Sequence, residues 1–236
     1  METNKQTILI TGSTIGQALA EAYAADACVE TVYYTYHKRQ PRFDAPTIKP
    51  IQVDLTHEPE VAQCLASLER LDGIINTLGF LHAEDHQPEK SITRFSPSGL
   101  IKSIELNTLP TALLAKHSRS LLRQSPSSFF AAVSAKVGSI EDNQLGGWYS
   151  YRASKAALNM LLKTLAIEWR IALPTCRVAA LHPGTVESPL SAPFTRNHTT
   201  LKTPAESAAC LKHILDNLTP ADSGQFWSWD GTPLPW

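Results

Sequence analysis

Little in this chain is extreme, and each shortage excludes something. Only four of its 236 residues are cysteine (Cys28, Cys64, Cys176 and Cys210), with no Cys-x-x-Cys among them. They read as reduced thiols of a cytoplasmic protein rather than a disulfide framework. Lys and Arg number 21 against 22 Asp and Glu, a net charge of −1. That balance argues against a nucleic-acid or anionic-membrane partner. No apolar run approaches a membrane span. The opening METNKQTILI lacks the basic flank and long apolar core of a signal peptide. There is no internal repeat or low-complexity tract. What remains, 43% hydrophobic and 18% charged residues, is ordinary for a soluble globular protein, with length enough for one large α/β domain or two small ones.

The stretch that organises the chain is 148–170, WYSYRASKAALNMLLKTLAIEWR. Ala, Leu, Met, Lys and Glu dominate it, and Gly and Pro are absent, so it predicts one long helix. Tyr151 and Lys155 lie four residues apart and so share a face. An ammonium beside a phenol favours the phenolate and should pull the tyrosine below its usual pKa of about 10. Taken alone, so short and common a pair more often describes a surface tyrosine beside a solvated lysine.

Residues 7–11, TILIT, read as a buried strand, followed by GSTIG and a helical QALAEAYAADA. Strand, glycine turn and helix open a dinucleotide-binding βαβ unit, where a Cβ would block the approach of a pyrophosphate to the helix N-terminus. The same turn also serves a ligand-free βα connection. Strand 31–36 runs into His37-Lys38-Arg39 with no acidic residue at its end. Lys38 and Arg39 there suit a ribose 2′-phosphate, so the expected cofactor is NADP(H) in preference to NAD(H). Strand 48–54 ends on Asp54-Leu55, with a helix over 58–68 behind it. Strand 71–76 ends on Asn76 and leads to Gly79, at the sheet edge where open α/β folds bind ligands. The polar stretch 80–97 holds His82 and His86, but no third ligand accompanies them, so no metal is expected.

Residues 98–123 predict a single long helix bent at Pro110, with Asn107 at the bend. Strand 128–134 ends on Ser134, which is placed to hydrogen-bond a ligand. Strand 177–182 ends on Pro183-Gly184. Residues 185–203, rich in Thr, Ser and Pro, read as a mobile lid. A last helix spans 204–217 and a seventh strand 224–228. The alternation predicts a single domain over 1–236. Its fold class is α/β, a Rossmann-type doubly wound parallel sheet of about seven strands with helices on both faces.

The motifs now stand in order: TG…G, Asp54-Leu55, Asn-x-x-Gly at 76–79, Asn107, Ser134, Tyr-x-x-x-Lys at 151–155 and Pro183-Gly184. Over essentially the whole chain this resembles the short-chain dehydrogenase/reductase family. GSIEDNQLGGWYSYRASKAALNML, HPGTVESPLSAPF and SGQFWSWDGTPLPW are similar to its C-factor-like branch. The resemblance implies that Tyr151 is the general acid or base, that Lys155 holds the nicotinamide ribose and lowers the Tyr151 pKa, that Ser134 orients the substrate oxygen, and that Asn107 helps hold a proton-relaying water. It implies that Gly12, Ser13, Thr14, Ile15 and Gly16 cradle the pyrophosphate. Asp54 and Leu55 would contact the adenine, Asn76 and Gly79 the adjoining ribose, and Pro183, Gly184, Val186 and Ser188 the nicotinamide. The partner implied is a small carbonyl or alcohol substrate. These roles fit the chemistry, because hydride transfer leaves an alkoxide that needs donors and a proton.

Two departures stand out. The family's T-G-x-x-x-G-x-G turn is shortened here. Either Gly16 is its last glycine, with one residue lost and the middle glycine absent, or Ala18 stands in the last glycine's place; IGQALA favours the first. The spacing from Ser134 to Tyr151 is also long, and the extra residues around 141–147 are expected to line the substrate cleft. Ala153, Ala156, Ala157, Met160, Leu161, Leu162 and Ile167 make the central helix apolar on several sides, which predicts a homodimer or homotetramer. The aromatic tail forms a second interface or packs around strand seven. Two functions follow: reduction of a small carbonyl compound by NADPH, or a non-catalytic cofactor-sensing or signalling protein on the same fold. The intact catalytic set favours the first.

Overall fold

The computed structural model describes residues 5–195 and 200–236. The chain runs β1 (Gln6–Thr11), α1 (Thr14–Ala24), β2 (Val29–Tyr36), β3 (Ile48–Gln52), α2 (Glu58–Ala66), β4 (Gly73–Asn76), α3 (Pro97–Asn107), α4 (Leu109–Arg123), β5 (Phe129–Val133), α5 (Tyr149–Ala172), β6 (Arg177–His182), α6 (Pro204–Asn217) and β7 (Gln225–Ser228). All seven strands are parallel, in the order β3-β2-β1-β4-β5-β6-β7. Central strands with both faces covered by helices read as continuous apolar runs, and GIIN of β4 and FFAAV of β5 are buried at every position.

Alternate residues of one strand point to opposite faces, and the core divides accordingly. Leu9, Ile74, Phe130 and Ala132 pack with α2, α4 and α5 around Trp169. Ile8, Ile10, Phe129 and Ala131 pack with α1 and α6, against Leu19 and Leu211. The tail belongs to the core around strand seven: Phe226 and Trp236 stack with centroids 5.7 Å apart.

The helix expected over 98–123 is two helices. Thr108, at φ −117° and ψ −49°, divides them, its N–H closing α3 on Ile104 O and its carbonyl accepting from Ala112 N of α4, and Pro110 falls in the first turn of α4. A first-turn proline gives up an N–H that has no helical partner there. Pro110 therefore starts a second helix instead of bending one, and Asn107 is the last residue of α3.

Candidate active site

The strand order reverses between β1 and β4, and the crevice at their C-terminal ends is where a doubly wound sheet takes its ligand. Only Gly12 and Ser13 separate β1 from α1. The Ser13 hydroxyl caps the helix by accepting from Gly16 N at 2.9 Å, and it lies 2.7 Å from Thr77 Oγ1. Tyr34 braces the turn, its hydroxyl accepting from Ser13 N at 3.2 Å. The N–H groups of Thr14 and Ile15 then open the helix end, the part that receives an anion. A Cβ on Gly16 would lie 2.2 Å from Thr11 O and 2.4 Å from Thr77 Oγ1. Gly16 is therefore the glycine that lets helix and strand approach, as the shortened reading of the turn requires, and Ala18 is not.

Beside this turn, a cavity of about 260 Å³ is lined by Gly12, Thr35, His37, Asp54, Leu55 and Gly79 among others. The Thr35 hydroxyl in its wall is buried without a partner, as suits a polar ligand. Asp54 accepts from Thr56 N and Oγ1 and lies 3.6 Å from His37 Nε2. The Thr56 hydrogen bonds hold its carboxyl below the usual range. Lys38 and Arg39 are exposed just past β2. Asn76 is placed differently from expectation. Its amide oxygen accepts from Thr11 Oγ1 and Leu78 N, and its nitrogen donates to Thr111 Oγ1. Buried, its side chain ties β4 to β1 and α4 beneath the crevice. Gly79 does line it, and a Cβ there would stand 4.0 Å from Lys155 Nζ.

Helix α5 brings up the catalytic candidates. Its N-cap is Trp148, with φ 51° and ψ 44°, preceded by Gly146 and Gly147 at φ 63° and 65°. For a bulky residue this backbone costs about 1–3 kcal/mol. The turn is held by Trp148 N donating to Glu89 O at 2.5 Å and by Arg152 Nε donating to the carbonyls of Gly146 and Gly147. The Glu89 carboxylate, 4% exposed, accepts from Ser150 N at 3.1 Å and from the Ser150 hydroxyl. It supplies the anionic cap that Trp148 cannot. The sequence carries no signal for Glu89, because the pairing spans 61 residues.

Tyr151 and Lys155 are both buried, at 8% and 2% exposure. The expected fall in the tyrosine pKa is corrected: burial pushes the Tyr151 phenol well above its ordinary value. Burial also lowers Lys155 to about 7. Lys155 Nζ donates to Val133 O at 3.0 Å, so desolvation outweighs the pairing foreseen from their shared face. Ser134 is also placed otherwise than expected. Its hydroxyl donates to Asn159 Oδ1 at 2.6 Å and is 2% exposed. A hydroxyl has one hydrogen to give, and in this structure Ser134 gives it to Asn159, securing β5 to α5. Asn159, one turn beyond Lys155, escaped the sequence reading. The Asn107 amide is likewise occupied: it accepts from Phe80 N and donates to Phe80 O and Ser154 Oγ. It joins the loop after β4 to α5.

Across the cleft, Pro183 O accepts from Ser207 Oγ, and Gly184, at φ 79°, passes close to Trp229. Val186 pairs with Lys202, closing the stem of the 185–203 segment. Ser188 bonds within a tight turn with Ser191. Residues 196–199 of the expected lid lie outside the described residues. His82 and His86 part company: His82 meets Pro189 O, and His86 packs on Phe80.

Residues 6–199 match the family model described as short chain dehydrogenase. The chain belongs to the short-chain dehydrogenase/reductase family. As such it is an NAD(P)-dependent oxidoreductase. A 1-hydroxy-2-glutathionyl-2-methyl-3-butene dehydrogenase of Rhodococcus sp. (strain AD45) is 34% identical over 194 residues, 80% of each chain. The C-signal of Myxococcus xanthus is 37% identical over 116 residues, covering 49% of this chain and 65% of that one. In fold, the carbonyl reductase Sniffer of D. melanogaster superposes with a TM-score of 0.85 at 24% identity, over 98% of this short-chain dehydrogenase/reductase and all of that chain. An NADPH-bound carbonyl reductase from chicken fatty liver does so at 0.86 and 24%, over 99% and 95%.

Proposed function

We propose that this enzyme reduces a small carbonyl compound with NADPH, Tyr151 acting as general acid. The observation that carries the reading is geometric: Tyr151 is buried one helical turn before Lys155, whose Nζ borders the Gly79 crevice. Burial keeps the phenol protonated, so a proton is available for an oxygen that gains charge. Bound NADPH supplies the hydride. Lys155, fixed at Val133 O, presents its charge to the crevice where the nicotinamide ribose would lie, and its pKa near 7 lets protons pass near neutrality. Thr14 and Ile15 N–H would hold the pyrophosphate, Leu55 and Gly79 the adenosine, and Pro183 to Ser188 the nicotinamide. Lys38 and Arg39 are free to meet a 2′-phosphate, which supports NADP(H) over NAD(H). Asn107 and Ser134 act by holding α5 to the loop after β4 and to β5.

The outer face of α5 exposes Met160, Ile167 and Ile171. Apolar residues aligned along a helix favour a partner subunit, which supports a homodimer or homotetramer. Sedimentation would test this, and a monomer at micromolar concentration refutes it. For the activity, NADPH and NADH are titrated by calorimetry, and cofactor oxidation is followed over ketones and aldehydes. Turnover that Tyr151→Phe abolishes is the expected result. Tight binding without turnover on any carbonyl returns the cofactor-sensing alternative.

A further inference from the structure

The rings around Tyr151 bear on what kind of carbonyl compound it meets. The Trp148 ring lies 6.1 Å from that of Tyr151, with planes at 69°. Phe194, in the segment after β6, meets Trp148 edge to face at 5.1 Å and 65°. His82, from the loop after β4, meets Phe194 at 5.5 Å and 67°, and its Nε2 is 3.2 Å from Pro189 O. Three segments distant in sequence thus build one run of rings that ends on the proposed proton donor.

Two further observations show that this run is presented to a ligand. Trp148, Phe194 and His82 are each only half-buried, so ring surface stays open, and nearby Leu145 is 91% exposed. Trp148 also holds its ring there at the expense of a left-handed backbone that would suit glycine. Backbone strain of this kind gathers at ligand sites. Edge-to-face rings reward a flat conjugated surface and do little for a short aliphatic chain. A polyol or keto acid would instead need directional donors or a guanidinium fork.

We infer that the cleft selects flat aromatic carbonyl compounds, aryl ketones and aldehydes, with Trp148 and Phe194 as specificity-determining residues. This rests on the reductase reading above. The hydride forms a C–H bond at the carbonyl carbon, the C=O π pair passes to oxygen, and Tyr151 protonates that oxygen. The ketone is reduced to an alcohol as the cofactor is oxidised.

The test compares kcat/KM for 1-acetonaphthone and 2-butanone with NADPH, in the wild type and in Trp148→Gly, Trp148→Phe and Phe194→Leu. Glycine suits the left-handed backbone, so Trp148→Gly removes the ring and keeps the turn; its melting temperature checks this. The aryl-to-aliphatic ratio is expected to favour the naphthyl ketone in the wild type. It should fall about tenfold or more in Trp148→Gly and Phe194→Leu and recover in Trp148→Phe. A wild type that prefers 2-butanone, or variants that lose both substrates in proportion, overturns the inference and leaves the reductase reading standing. If neither ketone turns over, the reductase reading fails on its own. Binding of 1-acetonaphthone in the presence of NADP+, read by calorimetry, then decides this inference: binding lost in Trp148→Gly supports it, and binding unchanged there, or none in the wild type, overturns it.

Discussion

The ammonium of Lys155 donates to the main-chain carbonyl of Val133 at 3.0 Å, at the tip of β5. A charge so deeply buried costs stability while it remains charged, and its pKa of about 7 reflects that. The unfolded lysine titrates near 10.4. Between those values the unfolded chain binds the proton and the folded one does not, so this group's contribution to stability rises with pH across the window. Lys155→Met should therefore melt above the wild type at pH 6, lose that advantage as pH approaches 10, and have no activity. Thermal scans across this range check it; an advantage that grows with pH refutes it.

Tyr151→Phe should lower kcat by about 10² to 10⁴ while leaving the NADPH dissociation constant within a few-fold. Ser134→Ala, by contrast, should lower kcat less than about tenfold, because its hydroxyl is committed to Asn159. It should also cost about 1–3 kcal/mol of stability through the acceptor left bare on Asn159. Steady-state kinetics and chemical denaturation separate the two. Equal losses of kcat would restore Ser134 to the substrate.

Changing Lys38 and Arg39 together to Ala should weaken NADPH by about tenfold or more and leave NADH nearly unchanged, since only the 2′-phosphate needs them. Calorimetric titration of both cofactors reads the difference directly. Equal weakening refutes a 2′-phosphate role.

Glu89→Ala should destabilise the enzyme by about 1–3 kcal/mol and lower kcat more than the KM for NADPH, because it frees the N-terminus of the helix that carries Tyr151. Glu89→Gln keeps an acceptor for Ser150 and should recover part of kcat. If the Gln variant behaves like Ala, the cap is not what Glu89 provides.

The βα alternation, the crevice and the Tyr151–Lys155 pair were legible in the sequence, because each is written in local pattern and spacing. The tight approach at Gly16 sits inside a short motif for the same reason. Side-chain direction was not legible. Ser134 and Asn76 stand at strand tips where a ligand could be met, yet both are buried. Whether such a residue faces the cleft or the core depends on its partners, Asn159 for one and Thr111 for the other, and those lie on other elements. The pKa of Tyr151 failed by the same route: spacing shows that a cation is near, but not how much water has been removed. Glu89 was invisible because a carboxylate in a polar loop looks like any other until a helix end arrives above it.

The main-chain oxygen of Trp236 accepts from the N–H groups of Ile140 and Glu141 and from the hydroxyl of Ser139. The tail thereby fastens the stretch that leads into the Gly146–Trp148 turn. Whatever shifts residue 236 is therefore felt at the start of the helix that bears Tyr151, so turnover should be sensitive to a residue that touches neither substrate nor cofactor.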